Sequence, residues 1–217
     1  MGGPVPENPR RSPAPPVPAV RRLVVAITGA TGAIYGIRLL ERLREVPDVE
    51  THLIVSAPGK RTIIEETGYS LRDVEALARH VHDNKDIGAS LASGTFRTAG
   101  MVIAPCSIKS ASAVAYCRSD TLIARAADVT LKEGRPLVML VRETPLHAGH
   151  LKCMLALVEM GAVLLPPMPA FYHRPTDIED LIAHTVGRAL DRLGVPQDGV
   201  PEWQGTDPRM GGGSSGA

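Results

Sequence analysis

The stretch "AITGATGAIYG", Ala26 to Gly36, follows the first apolar run of the chain and spaces Gly29, Gly32 and Gly36 as GxxGxxxG. Small residues just after a strand let the backbone come close to a ligand. A helix beginning near Ala33 would also aim its free N–H groups at an anion. The spacing does not fit the usual dinucleotide turn, GxGxxG, nor its GxxGxxG variant. No acidic residue follows the second strand to hold an adenosine ribose, since Ser56 stands there. The turn therefore suits a flavin or a small organic phosphate rather than NAD. Glycines that merely pack a strand against a helix would leave the same pattern.

Further residues have chemical potential. "APCSIKSAS", Ala104 to Ser112, sets Ser107, Lys109 and Ser110 at the start of a helix. Hydroxyl and amide groups there suit a phosphate or a flavin edge, while plain N-capping by Ser107 is the competing use. Cys106 has no base assigned to it and reads as a core thiol. In "VRETP", Arg142 and Glu143 leave the end of a buried strand, where an arginine can grip a phosphate and a carboxylate can move a proton. Glu66 in "IEET" is a second carboxylate near such a loop. Arg125 and Lys132, two turns apart on one helix face of "RAADVTLKE", form a cationic stripe of a kind that is ordinarily solvated.

"HAGH" puts His147 and His150 at helical spacing, but no carboxylate stands with them at ligand spacing, so no metal is expected. "PPMPAFYHRP", Pro166 to Pro175, is a rigid loop carrying Phe171, Tyr172 and His173. Aromatic faces there can shelter an apolar group or a developing cation, or can simply plug the core. Trp203, the one tryptophan, follows the last helix in "PEWQG".

The elements that must position these residues form an alternating series. Strands are expected at Arg22 to Thr28, Thr51 to Ser56, Gly100 to Ser107, "RPLVMLVRE" and a short "GAVLLPP". His52 then falls just before the second-strand core. Helical patterns intervene. "SDTLIARAADVTLKEG" opens on a Ser/Asp cap and closes on Gly134, and the last helix runs from Thr176 or Asp177 to Gly194. Five strands alternating with helices make an α/β, doubly wound parallel sheet in a single domain, with ligands beyond the carboxyl ends of the strands.

The chain has 217 residues and a net charge of +1, so nothing in its totals points to nucleic acid or a membrane surface. No apolar run reaches the roughly 18 residues of a membrane helix. Three cysteines without paired or zinc-like spacing favour a reducing, cytoplasmic setting. Residues 1–20 read as a disordered proline-rich arm, 21–205 as the domain, and 206–217 as a flexible Gly/Ser tail.

Taken in order, "TGATGAIYG", "APCSIKS", "RAADVTLKE", "VRETPL" and "PPMPAFYHRP" resemble the UbiX-type flavin prenyltransferases, over about Arg22 to Trp203. "ETHLIVS" and "KDIGASLASGTF" further resemble the branch described as one subunit of hydroxyarylic acid (vanillate or 4-hydroxybenzoate) decarboxylases. The resemblance implies a flavodoxin-like fold assembled as a homododecamer, with active sites between subunits. It implies metal-independent transfer of a dimethylallyl group from dimethylallyl phosphate to reduced FMN, first at N5 and then closing a ring at C6. The prenylated FMN would serve a UbiD-type decarboxylase.

By position, Gly29, Ala30, Thr31, Ser56, Ser107, Ile108, Lys109, Ser110 and Arg142 match the family's FMN contacts. Tyr172 and Arg188 match its prenyl-phosphate contacts, with Arg125 and Lys132 adding positive charge there. Glu66 and Glu143 match acidic residues of the catalytic site, and Trp203 an aromatic near the prenyl group. Thr31 stands where other members carry Ser, and "SIKS" where others have "STGT". An FMN-binding accessory subunit of a decarboxylase complex, or a decarboxylase in its own right, are the alternative readings. A decarboxylase of the phosphopantothenoylcysteine type, with the same fold, would be expected to carry its histidine just after an early strand.

Overall fold

In the computed structural model, residues 20–196 are described. β1 (Arg21–Ile27) is followed by α1 (Ala33–Arg44), β2 (Val49–Val55), α2 (Ala57–Glu66) and a short α3 (Leu71–Glu75). β3 (His80–Asp83) and a single 3-10 turn (Ser90–Ala92) lead to β4 (Gly100–Ser107), α4 (Ile108–Ala115) and α5 (Leu122–Lys132). β5 (Leu137–Arg142), α6 (Ala148–Glu159), β6 (Val163–Leu164) and α7 (Ile178–Arg192) complete the described residues.

Alternate residues of β1 feed two cores. Leu23, Val25 and Ile27 pack with α1, α2, α3 and α7 on one face of the sheet. Val24 and Ala26 pack with α4, α5 and α6 on the other. Burial on both faces explains why the central strands read as unbroken apolar runs. Each fully buried Leu, Ile or Val contributes about 1.5–3 kcal/mol.

All six strands are parallel, in the order β3-β2-β1-β4-β5-β6. The five expected strands are present and, renumbered without β3, give the 2-1-3-4-5 order of flavodoxin-like sheets. β3 is the correction. It adds a sixth strand at the outer edge, and its sequence, "HVHD", is too polar and exposed to announce itself. β2 begins at Val49, so His52 lies inside the strand rather than before it.

Helix punctuation follows the side chains. The cap of α5 is Thr121, one residue after the expected Ser/Asp pair; its Oγ1 accepts the Ala124 N–H at 3.4 Å. Asp177 caps α7. Gly134 and Gly194 stop α5 and α7 at φ of 65° and 66°, a left-handed conformation that glycine adopts without strain.

Candidate functional site: a cleft at the carboxyl ends of the strands

β1 and β4 are neighbours in the sheet, but their connections leave in opposite directions, and a crevice opens where they part. It is a cleft of about 960 Å³. All nine residues expected at the flavin line it: Gly29, Ala30 and Thr31 from the β1–α1 turn, Ser56 after β2, Ser107 to Ser110 after β4, and Arg142 at the end of β5. Glu143 lines it too.

Thr28 ties the floor of this cleft together. Its buried hydroxyl donates to Pro105 O at 2.8 Å and accepts the Ser107 N–H at 2.8 Å, bridging the two diverging strands. Nothing in the sequence singled this threonine out.

Packing and chemistry share the glycines. A Cβ on Gly29 would collide with Pro58, and one on Gly36 with the Ala104 carbonyl. Gly32 has φ 97°, which favours glycine whatever the ligand. The N terminus of α1 is not free to meet an anion, contrary to the expectation from spacing. Glu66 Oε2 accepts the N–H groups of Gly32 at 2.8 Å and Ala33 at 3.3 Å. Glu66 thus reaches from the end of α2 to the turn beside Thr31.

The two serines cap the helices that follow them. Ser56 Oγ accepts the Gly59 N–H at 3.0 Å, and Ser107 Oγ the Ser110 N–H at 3.3 Å. A capping hydroxyl keeps its own proton to donate.

Arg142 stands opposite Ser107 in the β4–β5 register, and its Nε is buried without a hydrogen-bond partner. Its charge is felt by the Tyr35 phenol, which burial pushes up and Arg142 pulls back down. A guanidinium lining a cleft of this size fits an anionic or strongly accepting ligand. Lys60, Lys85 and Arg118 also line the cleft and add positive charge that sequence reasoning missed. Cys106 is fully buried, which pushes its thiol far up and leaves it unreactive.

The remaining candidates lie elsewhere in the single chain. Arg125 pairs with Asp128 at 2.8 Å and donates to Ala92 O at 3.3 Å, and Lys132 pairs with Glu133 at 3.1 Å. Tyr172 meets His184 Nε2 through its hydroxyl at 2.8 Å; Arg188 is exposed one helical turn further along α7. None of these four lines the cleft. His147 caps α6 through Nδ1, which accepts the Gly149 N–H at 3.0 Å. Trp203 lies outside the described residues.

The sheet register also gathers a group that local spacing hid. Glu50, His52 and His80 place ligand-type atoms within 4.8 Å of one another. Sequence spacing draws attention to His147 and His150, whereas the acid and histidines that come together are Glu50 and His52 on one strand and His80 on the next. Burial, with His82 and His80 adding to it, pushes His52 down to about 4.

A parallel doubly wound sheet with a hydroxyl- and arginine-lined cleft at its switch point defines a flavin-binding α/β protein, and the comparisons agree. The Flavoprotein family model matches residues 17–189. The flavin prenyltransferase UbiX of Escherichia coli (strain K12) is 55% identical over 188 residues, covering 86% of this chain and 100% of that relative. A crystal structure of AnUbiX in complex with FMN and dimethylallyl pyrophosphate aligns with TM-score 0.84 at 47% identity, over 87% of this chain and 100% of that one. A dodecameric FMN-dependent UbiX-like decarboxylase from Escherichia coli O157:H7 aligns with TM-score 0.83 at 50% identity, over 85% and 100%. The chain belongs to the Flavoprotein family and, within it, to the UbiX flavin prenyltransferases: it is a prenyltransferase that uses FMN.

Proposed function

We propose that this chain transfers a dimethylallyl group from dimethylallyl phosphate to reduced FMN, and that the prenylated FMN is released to a UbiD-type decarboxylase. The observation that carries the reading is the cleft itself, which Arg142 lines together with the Ser107 to Ser110 helix start and the Gly29 to Thr31 turn. Reduced flavin supplies the nucleophilic nitrogen and ring carbon.

The chain's own residues then have distinct tasks. Arg142, Ser56, Ser107, Ile108, Lys109 and Ser110 hold and orient the flavin, and Thr31 offers a hydroxyl at the turn. Glu66 and Glu143 take up protons as the ring closes and regains aromaticity. Breaking an allylic C–O bond leaves charge on phosphate, which Arg125, Lys132 and Arg188 would stabilise, while Tyr172 and Trp203 shelter the allyl group.

The four described residues of that second set sit outside the cleft of a single chain, which supports a homo-oligomer, a dodecamer by likeness, in which a neighbouring copy completes each site. No metal takes part in this scheme. Among the described residues no helix is long and apolar enough to cross a membrane. The near-neutral charge supports an absence of nucleic-acid partners, and three cysteines without paired spacing support a cytoplasmic site of action.

The test is to incubate the protein anaerobically with reduced FMN and dimethylallyl phosphate, or the diphosphate, and to weigh the flavin. The expected product is one C5H8 unit heavier than FMN; recovery of unmodified FMN from both donors sinks the reading. The solved relative described as a decarboxylase favours a second reading, in which this chain releases CO2 itself. Vanillate and 4-hydroxybenzoate should release none until a UbiD-type partner is added. Activation by a filtered product, with this chain removed, excludes an accessory-subunit role.

A further inference from the structure

Away from the cleft, at the amino-terminal side of the sheet edge, lies a polar cluster that the proposed reaction leaves unused. Glu50 and His52 lie on β2, and His80 and His82 on β3, with His52 opposite His80 in the register. Side-chain alternation puts all four on the same face of the sheet. Glu50 Oε1 lies 3.0 Å from His52 Nε2 and 3.1 Å from His80 Nε2. The two imidazoles stack with centroids 4.7 Å apart and so present Nε2 to one oxygen.

An ion bound at about 2.0–2.1 Å to a carboxylate oxygen and to imidazole nitrogens holds those donor atoms roughly 3 Å apart. The oxygen–nitrogen spacings of the cluster already match. A metal-bound histidine also needs its other ring nitrogen held. His52 Nδ1 lies 2.9 Å from His82 Nε2, which supplies that partner.

The protons balance without any being released. In the hydrogen-bonded form His52 and His80 donate Nε2–H to Glu50. To free both lone pairs, each imidazole moves its single proton to Nδ1. His52 then donates Nδ1–H to His82 Nε2, and the His82 proton moves to its own Nδ1. All three rings stay neutral throughout.

We propose that Glu50, His52 and His80 form a binding site for a divalent transition-metal ion of the zinc class, with His82 orienting His52. A donor set of two imidazoles and one carboxylate suits zinc, cobalt or nickel better than magnesium or calcium. The His80 side chain is 46% exposed and that of Glu50 24%, so an ion can enter from solvent. Arg22 Nε, 3.5 Å from the same Glu50 oxygen, is a positive charge the ion must tolerate. Its guanidinium also lies over the Phe96 ring, 4.7 Å from the centroid. The arginine's charge opposes the ion's and weakens the site relative to one without it.

The ion would clamp the short β3 to β2. Asp83, Asn84 and Lys85, which follow the clamp along the chain, form part of the cleft wall. The role is structural, and it stands independently of the flavin chemistry.

Titration of the metal-stripped full chain with zinc chloride, followed by calorimetry and by thermal unfolding, tests the site. Cobalt(II) absorption reports the ligands. One ion per chain at about 1 μM or tighter, a raised Tm and imidazole-bound cobalt bands are expected. His80→Ala, at a half-exposed position, should weaken binding by more than ~100-fold. His82→Asn should weaken it by roughly 10–100-fold, as loss of an orienting partner does. A His147→Ala/His150→Ala variant should bind as the parent does. Absence of stoichiometric binding, undiminished affinity in His80→Ala, or loss of binding in the His147/His150 variant would each overturn the proposal.

Discussion

The cleft and the outer cationic surface carry similar side chains, yet the fold treats them differently. Arg142 sits at the last position of a strand buried on both faces, and its Nε finds no hydrogen-bond partner among the described residues. Arg125 lies on a helix flank and is satisfied locally by Asp128 and the Ala92 carbonyl. Leaving a buried guanidinium donor unpaired costs free energy that folding alone would not select for. A paired surface arginine costs nothing and says nothing about function. The unsatisfied arginine is therefore the better pointer to a ligand within this chain, and the satisfied ones give no such signal.

Four substitutions sharpen or break this contrast. The largest effect is expected from Glu66→Gln, which keeps an oxygen to cap Gly32 and Ala33 but removes the base. Prenyl transfer should fall by about 10²–10⁴-fold with FMN affinity little changed. If FMN binding collapses as well, Glu66 is a structural cap and the cleft must find its base elsewhere.

Arg142→Ala comes next. Loss of a charge-assisted contact should weaken FMN by about 1.5–3 kcal/mol, measurable by flavin fluorescence titration. An unchanged Kd would remove the main support for the cleft as the flavin site.

Thr28→Val tests the floor that both halves share. It deletes a buried donor and acceptor at constant shape, so urea denaturation should show a loss of about 1–3 kcal/mol. A stability equal to the parent would mean that the diverging strands need no such bridge.

The smallest stability change belongs to Arg125→Ala, about 0–1 kcal/mol for a partly exposed pair. FMN affinity should stay the same while KM for the prenyl donor rises. Unaltered KM would make this arginine a surface residue and undo the idea that a second copy completes the site.

The sequence made the central strands legible because burial on both faces leaves continuous apolar runs such as Leu23 to Ile27. It made the cleft-lining residues legible because a doubly wound sheet opens its crevice at the strand ends, so Ser56, Ser107 and Arg142 fall there from the strand pattern alone. Other features were silent for physical reasons. Glu66 reaches the N–H groups of Gly32 and Ala33 across 34 and 33 residues, and no local pattern marks a carboxylate that caps a remote helix. Thr28 closes the apolar run of β1 like any other strand residue. His52 and His80 become neighbours only through the β2–β3 register, and β3 has just one apolar side chain to signal a strand. Arg125, Lys132 and Tyr172 stand in recognisable motifs and Arg188 matches by position alone, but a single chain offers no physical reason for them to meet the flavin.

The weakness of β3 as a signal has a further effect on how copies of the chain meet. A sheet edge with free N–H and C=O groups is a template on which another chain can add a strand, and a long apolar edge invites aggregation. Here one edge is four residues bearing two histidines and an aspartate, and the other, β6, is only two residues long. Neither gives an incoming strand much length to pair with or a greasy face to settle on. α6, by contrast, turns Leu151, Leu155 and Val158 outward. Self-association through side chains of helices, rather than through continuation of the sheet, is the route that the surface of the described residues favours.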